Sequence, residues 1–145
     1  MGTQASLSEI KQIYDGYKTI AVVGASEDPT RAAHNVPAYL QEQGYRIIPV
    51  NPRHAELFGE KAYASLADIE EPVDVVDVFR PAEETPEIAR QAAALGSHVL
   101  WLQLGIESDE AAEIAFAAGM QVVMNRCMGQ MHAKLGLGPG PIHGV

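Results

Sequence analysis

Thr19-Ile20-Ala21-Val22-Val23-Gly24-Ala25-Ser26-Glu27-Asp28-Pro29-Thr30-Arg31 is the stretch on which the reading of the fold turns. Ile20 to Val23 is short and wholly apolar, as expected of a strand buried on both faces. Gly24 ends it, and a small polar loop follows. His34-Asn35-Val36-Pro37-Ala38-Tyr39-Leu40 then begins a helical pattern. A strand, a glycine turn and a helix form the first half of a βαβ nucleotide site. Small residues there let the backbone approach a phosphate, and N–H groups near the helix start bind it.

Upstream, Ser6 to Tyr14 reads as a helix, with Ser6 as N-cap and Glu9 at capping-box spacing. Downstream, the second helix is expected from about 35 to 43, with Pro37 in its first turn and Gly44 as its stop. Tyr45 to Val50 is the second strand, closed by Asn51-Pro52-Arg53. The segment 54–72 is irregular, with a short edge strand near Leu57–Tyr63 and a helical turn near Ser65–Ile69. Strands follow at 73–79, 98–103 and 121–124, separated by helices from Pro81 to Leu95 and from Ser108 to Ala118. Residues 131–145 are expected to form a loosely ordered tail on a core of about 6–130. Regular alternation with right-handed crossovers implies a three-layer α/β domain spanning residues 1–145, its sheet mainly parallel with helices on both faces.

A chain of 145 residues is long enough for one well-packed core. Its formal net charge of −9 argues against general binding to DNA or RNA, which relies on clustered Lys and Arg. A local anion pocket is compatible with that charge. The single cysteine, Cys127, precludes an intramolecular disulfide and fits a reducing cytoplasm. Met1 to Ser6 has no basic region followed by an apolar one, so no signal peptide is expected. No apolar run is long enough for a membrane span.

In such sheets ligands sit beyond the carboxyl ends of the strands. Those ends carry Gly24-Ala25-Ser26, Asn51-Pro52-Arg53, Phe79-Arg80-Pro81, Gln103-Leu104-Gly105 and Asn125-Arg126-Cys127. The dinucleotide fingerprint asks for three glycines; Gly24 is followed by Ser26 and Pro29 at the other two positions. An acidic residue should also close the second strand to hold a ribose 2′-OH, and Asn51 then Arg53 stand there instead. NAD is therefore disfavoured. A basic group suits an extra phosphate on the ribose, which both NADP and coenzyme A carry, and Arg31 and Arg53 could each meet it.

Val22-Val23-Gly24-Ala25-Ser26 with Asp28-Pro29 and Arg31, Gln43 to Pro52, Val73-Asp74 with Val76 to Arg80, Leu100 to Gly105 and Arg126-Cys127 follow one another in order. Together they resemble the CoA-binding domain family, specifically its small stand-alone members. That family is similar to the N-terminal domain of the succinyl-CoA synthetase α subunit. The resemblance covers roughly residues 10–130 and implies a Rossmann-like, doubly wound fold holding coenzyme A or an acyl-CoA at the strand ends. By position it implies that Gly24, Ala25 and Ser26 hold a phosphate of the pyrophosphate, with Arg31 adding charge nearby. Asn51, Pro52 and Arg53 would face the adenosine end. Phe79, Arg80 and Pro81 would line the middle, and Gln103 with Gly105 the pantetheine side. One departure is Met128 after the Arg-Cys pair, where small members often have proline.

The synthetase mechanism implied by the resemblance uses a phosphorylated histidine from a second domain, which this sequence does not contain. His34, His54, His98, His132 and His143 have no metal-ligand spacing, and Ser26 lacks a nucleophile-elbow context. Cys127 reads either as a thiol that pairs with the CoA thiol or as a buried small hydrophobe, and the second is favoured. The expectation is CoA binding without catalysis, in a sensor, carrier or accessory role. The alternatives are an NADP-dependent oxidoreductase with a degenerate glycine loop and an interaction module with a vestigial pocket. The protein partner is unknown, and a homodimer is open.

Overall fold

Residues 2–141 are described by the structure, a computed structural model. The end of the expected tail, with His143, lies outside them. The elements are α1 (Leu7–Gly16), β1 (Thr19–Val23), α2 (Ala32–Glu42), β2 (Arg46–Val50), a hairpin of β3 (Glu56–Leu57) and β4 (Glu60–Lys61), β5 (Val75–Val78), α3 (Thr85–Ala94), β6 (Val99–Leu102), α4 (Asp109–Ala117), β7 (Gln121–Val123) and α5 (Met128–Lys134). Five strands form one sheet in the order β2-β1-β5-β6-β7, every pairing parallel. The fold is a Rossmann-like doubly wound α/β sheet. The chain leaves β1 for one edge, then crosses back to β5, so the strand order reverses between β1 and β5. That reversal opens a crevice at their carboxyl ends.

Side chains alternate across the sheet with period two. Ala21, Val23, Val76, Val78, Leu100 and Leu102 face α3 and α4, whose Ala89, Ala92, Ala111 and Ala115 are fully buried and let the helices pack closely. Ile20, Val22, Val75, Val99 and Trp101 face the other way, onto Ile10 and Tyr14 of α1, Val36 and Leu40 of α2, and Met128 and Met131 of α5. Each fully buried Val, Ile or Leu contributes about 1.5–3 kcal/mol of transfer free energy. No helix among the described residues is long and apolar enough to cross a membrane.

Both sheet edges are covered. On β2, Pro49 lacks the N–H that an inner strand would need, and its carbonyl accepts from Tyr63 N–H at 3.0 Å. Asn51 N–H donates back to Tyr63 O at 2.8 Å. On β7, Ala5 N–H donates to Val122 O at 2.9 Å, and Gln4 Oε1 accepts from Met124 N–H at 2.8 Å.

Two expectations change. α2 begins at Ala32 rather than near 35, so Pro37 lies inside the helix and not in its first turn. The helix tolerates it because the carbonyl that Pro37 cannot serve is bonded from elsewhere, as described below. The stretch after Cys127, read as loop and tail, folds as α5, with Met131 and His132 buried. Aromatic packing holds it there. The rings of Tyr14, Tyr39 and Tyr45 meet the His132 ring edge-on at 5.1, 5.4 and 5.9 Å. Tyr39 Oη and His132 Nδ1 are 2.6 Å apart, and Tyr14 Oη donates to Met128 O at 2.5 Å. Burial pushes the His132 imidazole below its usual range, so it is held neutral.

Asp77 stands in the middle of the central strand, fully buried between Val22 and Trp101. Gln103 Nε2 donates to its Oδ1, while Oδ2 has no partner among the described residues. Burial pushes this carboxyl up to about 7, against the opposing hydrogen bond from Gln103. An unfolded aspartate titrates near ~3.9, so the native state prefers the protonated form. The stability that Asp77 confers is complete below about 4 and is lost as pH rises towards 7. Asp77→Asn should therefore gain on the parent as pH rises from 4.5 to 8, by on the order of a few kcal/mol. Urea titrations of both proteins across that range provide the check. A difference that does not vary with pH would show that Asp77 titrates normally in the fold.

Candidate functional site

The turn after β1 brings two strands unusually close. Gly24 has φ +88°, and a Cβ there would meet Phe79 O at 2.8 Å and Arg80 Cδ at 2.9 Å. Only glycine permits both the conformation and the approach. From Gly24 the loop is tied on every side. Gly24 N–H donates to Val50 O at 3.0 Å, and Asn51 Nδ2 donates to Ala25 O at 2.8 Å. Nδ1 of His34, packed against the Phe58 ring, lies 2.9 Å from Ser26 O and so carries the proton of that bond. Thr30 donates through its N–H and hydroxyl to Asp28, which holds that carboxyl below its usual range.

Ser26 N–H donates to Ala33 O at 3.1 Å. An uninterrupted helix would give that carbonyl to residue 37. Proline has no N–H to give, so the carbonyl is left for the loop. Thus Pro37, itself buried, frees the acceptor on which Ser26 hangs. The same bond means that the Ser26 amide is not available to a ligand. The amide donors open to an anion lie one step further on. Ala32 and Ala33 N–H, in the first turn of α2, have no hydrogen-bond partner among the described residues, and Arg31 is the N-cap.

Two clefts meet at this point. The first, about 750 Å³, is walled by the glycine loop, by Asn51, Pro52 and Arg53 after β2, and by Arg80 and Glu84 after β5. Leu66 and Ile88 form an apolar part of its lining. The second, about 480 Å³, is lined by Ala32, Ala33, Phe79, Pro81, Gln103, Leu104, Ile106 and Cys127. Arg31 and Arg80 border both.

The first cleft is lined by three arginines, Arg31, Arg53 and Arg80, and by three carboxylates, Glu27, Asp28 and Glu84. Arg80 is clamped by Glu84, Nη2 to Oε2 at 2.7 Å and Nε to Oε1 at 3.1 Å, and this holds the Glu84 carboxyl below its usual range. His54 Nδ1 lies 4.0 Å from Glu27 Oε2. Arg31 and Arg53 make no ion pair among the described residues. Of the arginines lining this cleft they are the two outside an ion pair, and the charge of Arg31 also acts on the neighbouring Asp28 carboxylate.

The structure thus gathers eleven of the twelve sequence-derived candidates around two connected clefts: Gly24, Ala25, Ser26, Arg31, Asn51, Pro52, Arg53 and Arg80 at the first, with Phe79, Pro81 and Gln103 joining at the second. Gly105 lines neither; its N–H donates to Asn125 Oδ1 at 2.6 Å. Two others are turned inward. Asn51 spends its amide on Ala25 O and, through Oδ1, on Arg53 N–H at 2.8 Å. Gln103 is 3% exposed, donating to Asp77 and accepting from Met128 N–H at 3.4 Å. Cys127 is buried too; burial raises its thiol and keeps it protonated. The sequence reading placed the helix-start amides too late, near 35 rather than at Ala32 and Ala33, and missed the Glu84 clamp and Ile106. Among the described residues no group of His, Cys, Asp and Glu could hold a metal.

Comparison with known proteins gives three kinds of match. The model of the CoA binding domain family matches residues 18–133. An uncharacterised Bacillus subtilis protein, YneT, is 41% identical over 128 residues, 88% of this chain and 95% of its own length. The α subunit of the ADP-forming acetate–CoA ligase II of Pyrococcus furiosus is 33% identical over 129 residues, 80% of this chain. This chain spans only 28% of that subunit. Among solved structures, a Thermus thermophilus protein superposes with a TM-score of 0.85 at 47% identity, covering 90% of this chain and 99% of that one.

Gly24→Ala should lose about 2–4 kcal/mol in chemical denaturation, since strain at positive φ and the clash with Phe79 O add. A loss below about 0.5 kcal/mol would mean that the loop relaxes freely. Pro37→Ala supplies a helical N–H that competes for Ala33 O. Ser26 amide exchange should become roughly tenfold faster without a drop in global stability. Unchanged protection at Ser26 would remove Ala33 as the anchor.

Proposed function

The chain belongs to the CoA-binding domain family, and from that membership we propose that it binds coenzyme A or an acyl-CoA across the two clefts, without intrinsic catalysis. The observation that carries the reading is the pair of unpaired guanidinium groups, Arg31 and Arg53, on a cleft at the strand-order reversal. A nucleotide with a pyrophosphate and a separate ribose phosphate calls for two cations set apart, and guanidinium suits phosphate well. The Ala32 and Ala33 amides with Arg31 take the pyrophosphate, beside Gly24 and Ala25, which let it approach the backbone. Arg53, with Pro52 and the apolar surface of Leu66 and Ile88, takes the adenosine end and its 3′-phosphate. Asn51 and Ser26 act by bracing these loops. Phe79, Arg80 and Pro81 border the path of the pantetheine arm towards Gln103.

On this reading the protein is a sensor, carrier or accessory subunit. The acidic composition and lone cysteine suit a cytoplasmic setting. The ligase activity of the longer relatives is not carried over, because this chain spans a minor part of them.

Calorimetry with coenzyme A, dephospho-CoA, NADP and NAD tests the proposal. Coenzyme A should bind, and dephospho-CoA more weakly. Tight NADP binding without a response to coenzyme A would overturn it. Arg53→Ala should weaken coenzyme A by about tenfold and dephospho-CoA by less than about threefold. Equal losses would show that Arg53 does not read the 3′-phosphate.

A further inference from the structure

We infer that the second cleft seats the acyl group of an apolar acyl-CoA, so that the chain tells such a thioester from free coenzyme A; the inference rests on the proposed seating of the phosphates in the first cleft and at its junction with the second. Continuity is the starting point. Arg31 and Arg80 border both clefts, and Ala32 and Ala33, whose amides have no partner among the described residues, follow Arg31 directly and line the second. A ligand anchored by its phosphates is therefore led past Arg80 into the second cleft.

The chemistry of the walls then selects what can fill it. Phe79, Pro81, Leu104, Ile106 and Cys127 offer carbon and sulfur. Beyond the two arginines at the junction, the polar side chain lining the cleft is Gln103, and both ends of its amide are engaged by Asp77 and Met128 N–H. No side-chain carboxylate or ammonium lines this cleft. A hydrocarbon chain loses nothing on entering such a lining, whereas a carboxylate set against Phe79, Pro81, Leu104 or Ile106 would be desolvated without a partner, since Arg80 is engaged by Glu84 and Arg31, on this reading, by the pyrophosphate. Leu104 supplies an independent sign. It is 54% exposed, one of two large apolar side chains left so open among the described residues, and it stands on this cleft. An occupant that covers Leu104 gains transfer free energy that free coenzyme A does not.

Calorimetry with coenzyme A, octanoyl-CoA and succinyl-CoA, on the parent protein and on Leu104→Ser, tests the inference. Octanoyl-CoA should bind about tenfold more tightly than coenzyme A, and succinyl-CoA no more tightly than coenzyme A. Leu104→Ser, a change at an exposed position, should narrow the octanoyl advantage to less than about threefold. Equal binding of coenzyme A and octanoyl-CoA would overturn this inference and leave the proposed coenzyme A site standing. An octanoyl advantage that survives Leu104→Ser would place the chain in another part of the molecule and overturn the assignment to this cleft. Failure of all three ligands to bind would remove the proposed function and the inference together.

Discussion

The distance of closest approach between the turn after β1 and the end of β5 governs everything built on this rim. Gly24 lies where any side chain would strike the Phe79 carbonyl, so the two strand ends close up and the loops that follow them diverge at once. That divergence separates the glycine loop from Phe79-Arg80-Pro81 and leaves Arg80 spanning the gap, against the Gly24 backbone on one side and Glu84 on the other. A bulkier turn would push β5 away from β1 and undo the register in which Val22 lies opposite Asp77.

The sheet was legible in the residues because buried parallel strands are nearly continuous apolar runs: Ile20–Val23 and Val99–Leu102 are wholly apolar, and Val75–Val78 is broken only by Asp77. Helix ends were less legible. Arg31-Ala32-Ala33 carries no capping side chain, so the start of α2 has no local mark, and Pro37 drew the boundary to itself. α5 is seven residues held by Tyr14 of α1, Tyr39 of α2 and Tyr45, just before β2. Nothing within Met128–Lys134 states that dependence.

The site divides along the same line. Strand ends are nameable from sequence once the strands are, which is why Gly24, Arg31, Arg53, Phe79, Arg80 and Pro81 fall together on the clefts. Whether a polar side chain faces outward or inward is a tertiary fact. Asn51 and Gln103 look like ligand contacts in the sequence and serve in the structure as braces for Ala25 and Asp77. Free amides at the helix start were expected, but that Ala32 and Ala33 supply them could not be read, because the start of α2 carries no capping side chain.

The coverings on β2 and β7 bear on how this molecule can meet another copy of itself. An open sheet invites extension by ladder pairing, strand against strand. Here Pro49 and the Tyr63 bridge occupy one flank, and Ala5 with Gln4 occupies the other. Growth of the sheet sideways is thereby hindered at both flanks, so a second copy would have to meet helical faces or the cleft rims. The same fastening guards the chain against the edge-to-edge pairing to which an exposed strand edge is otherwise open.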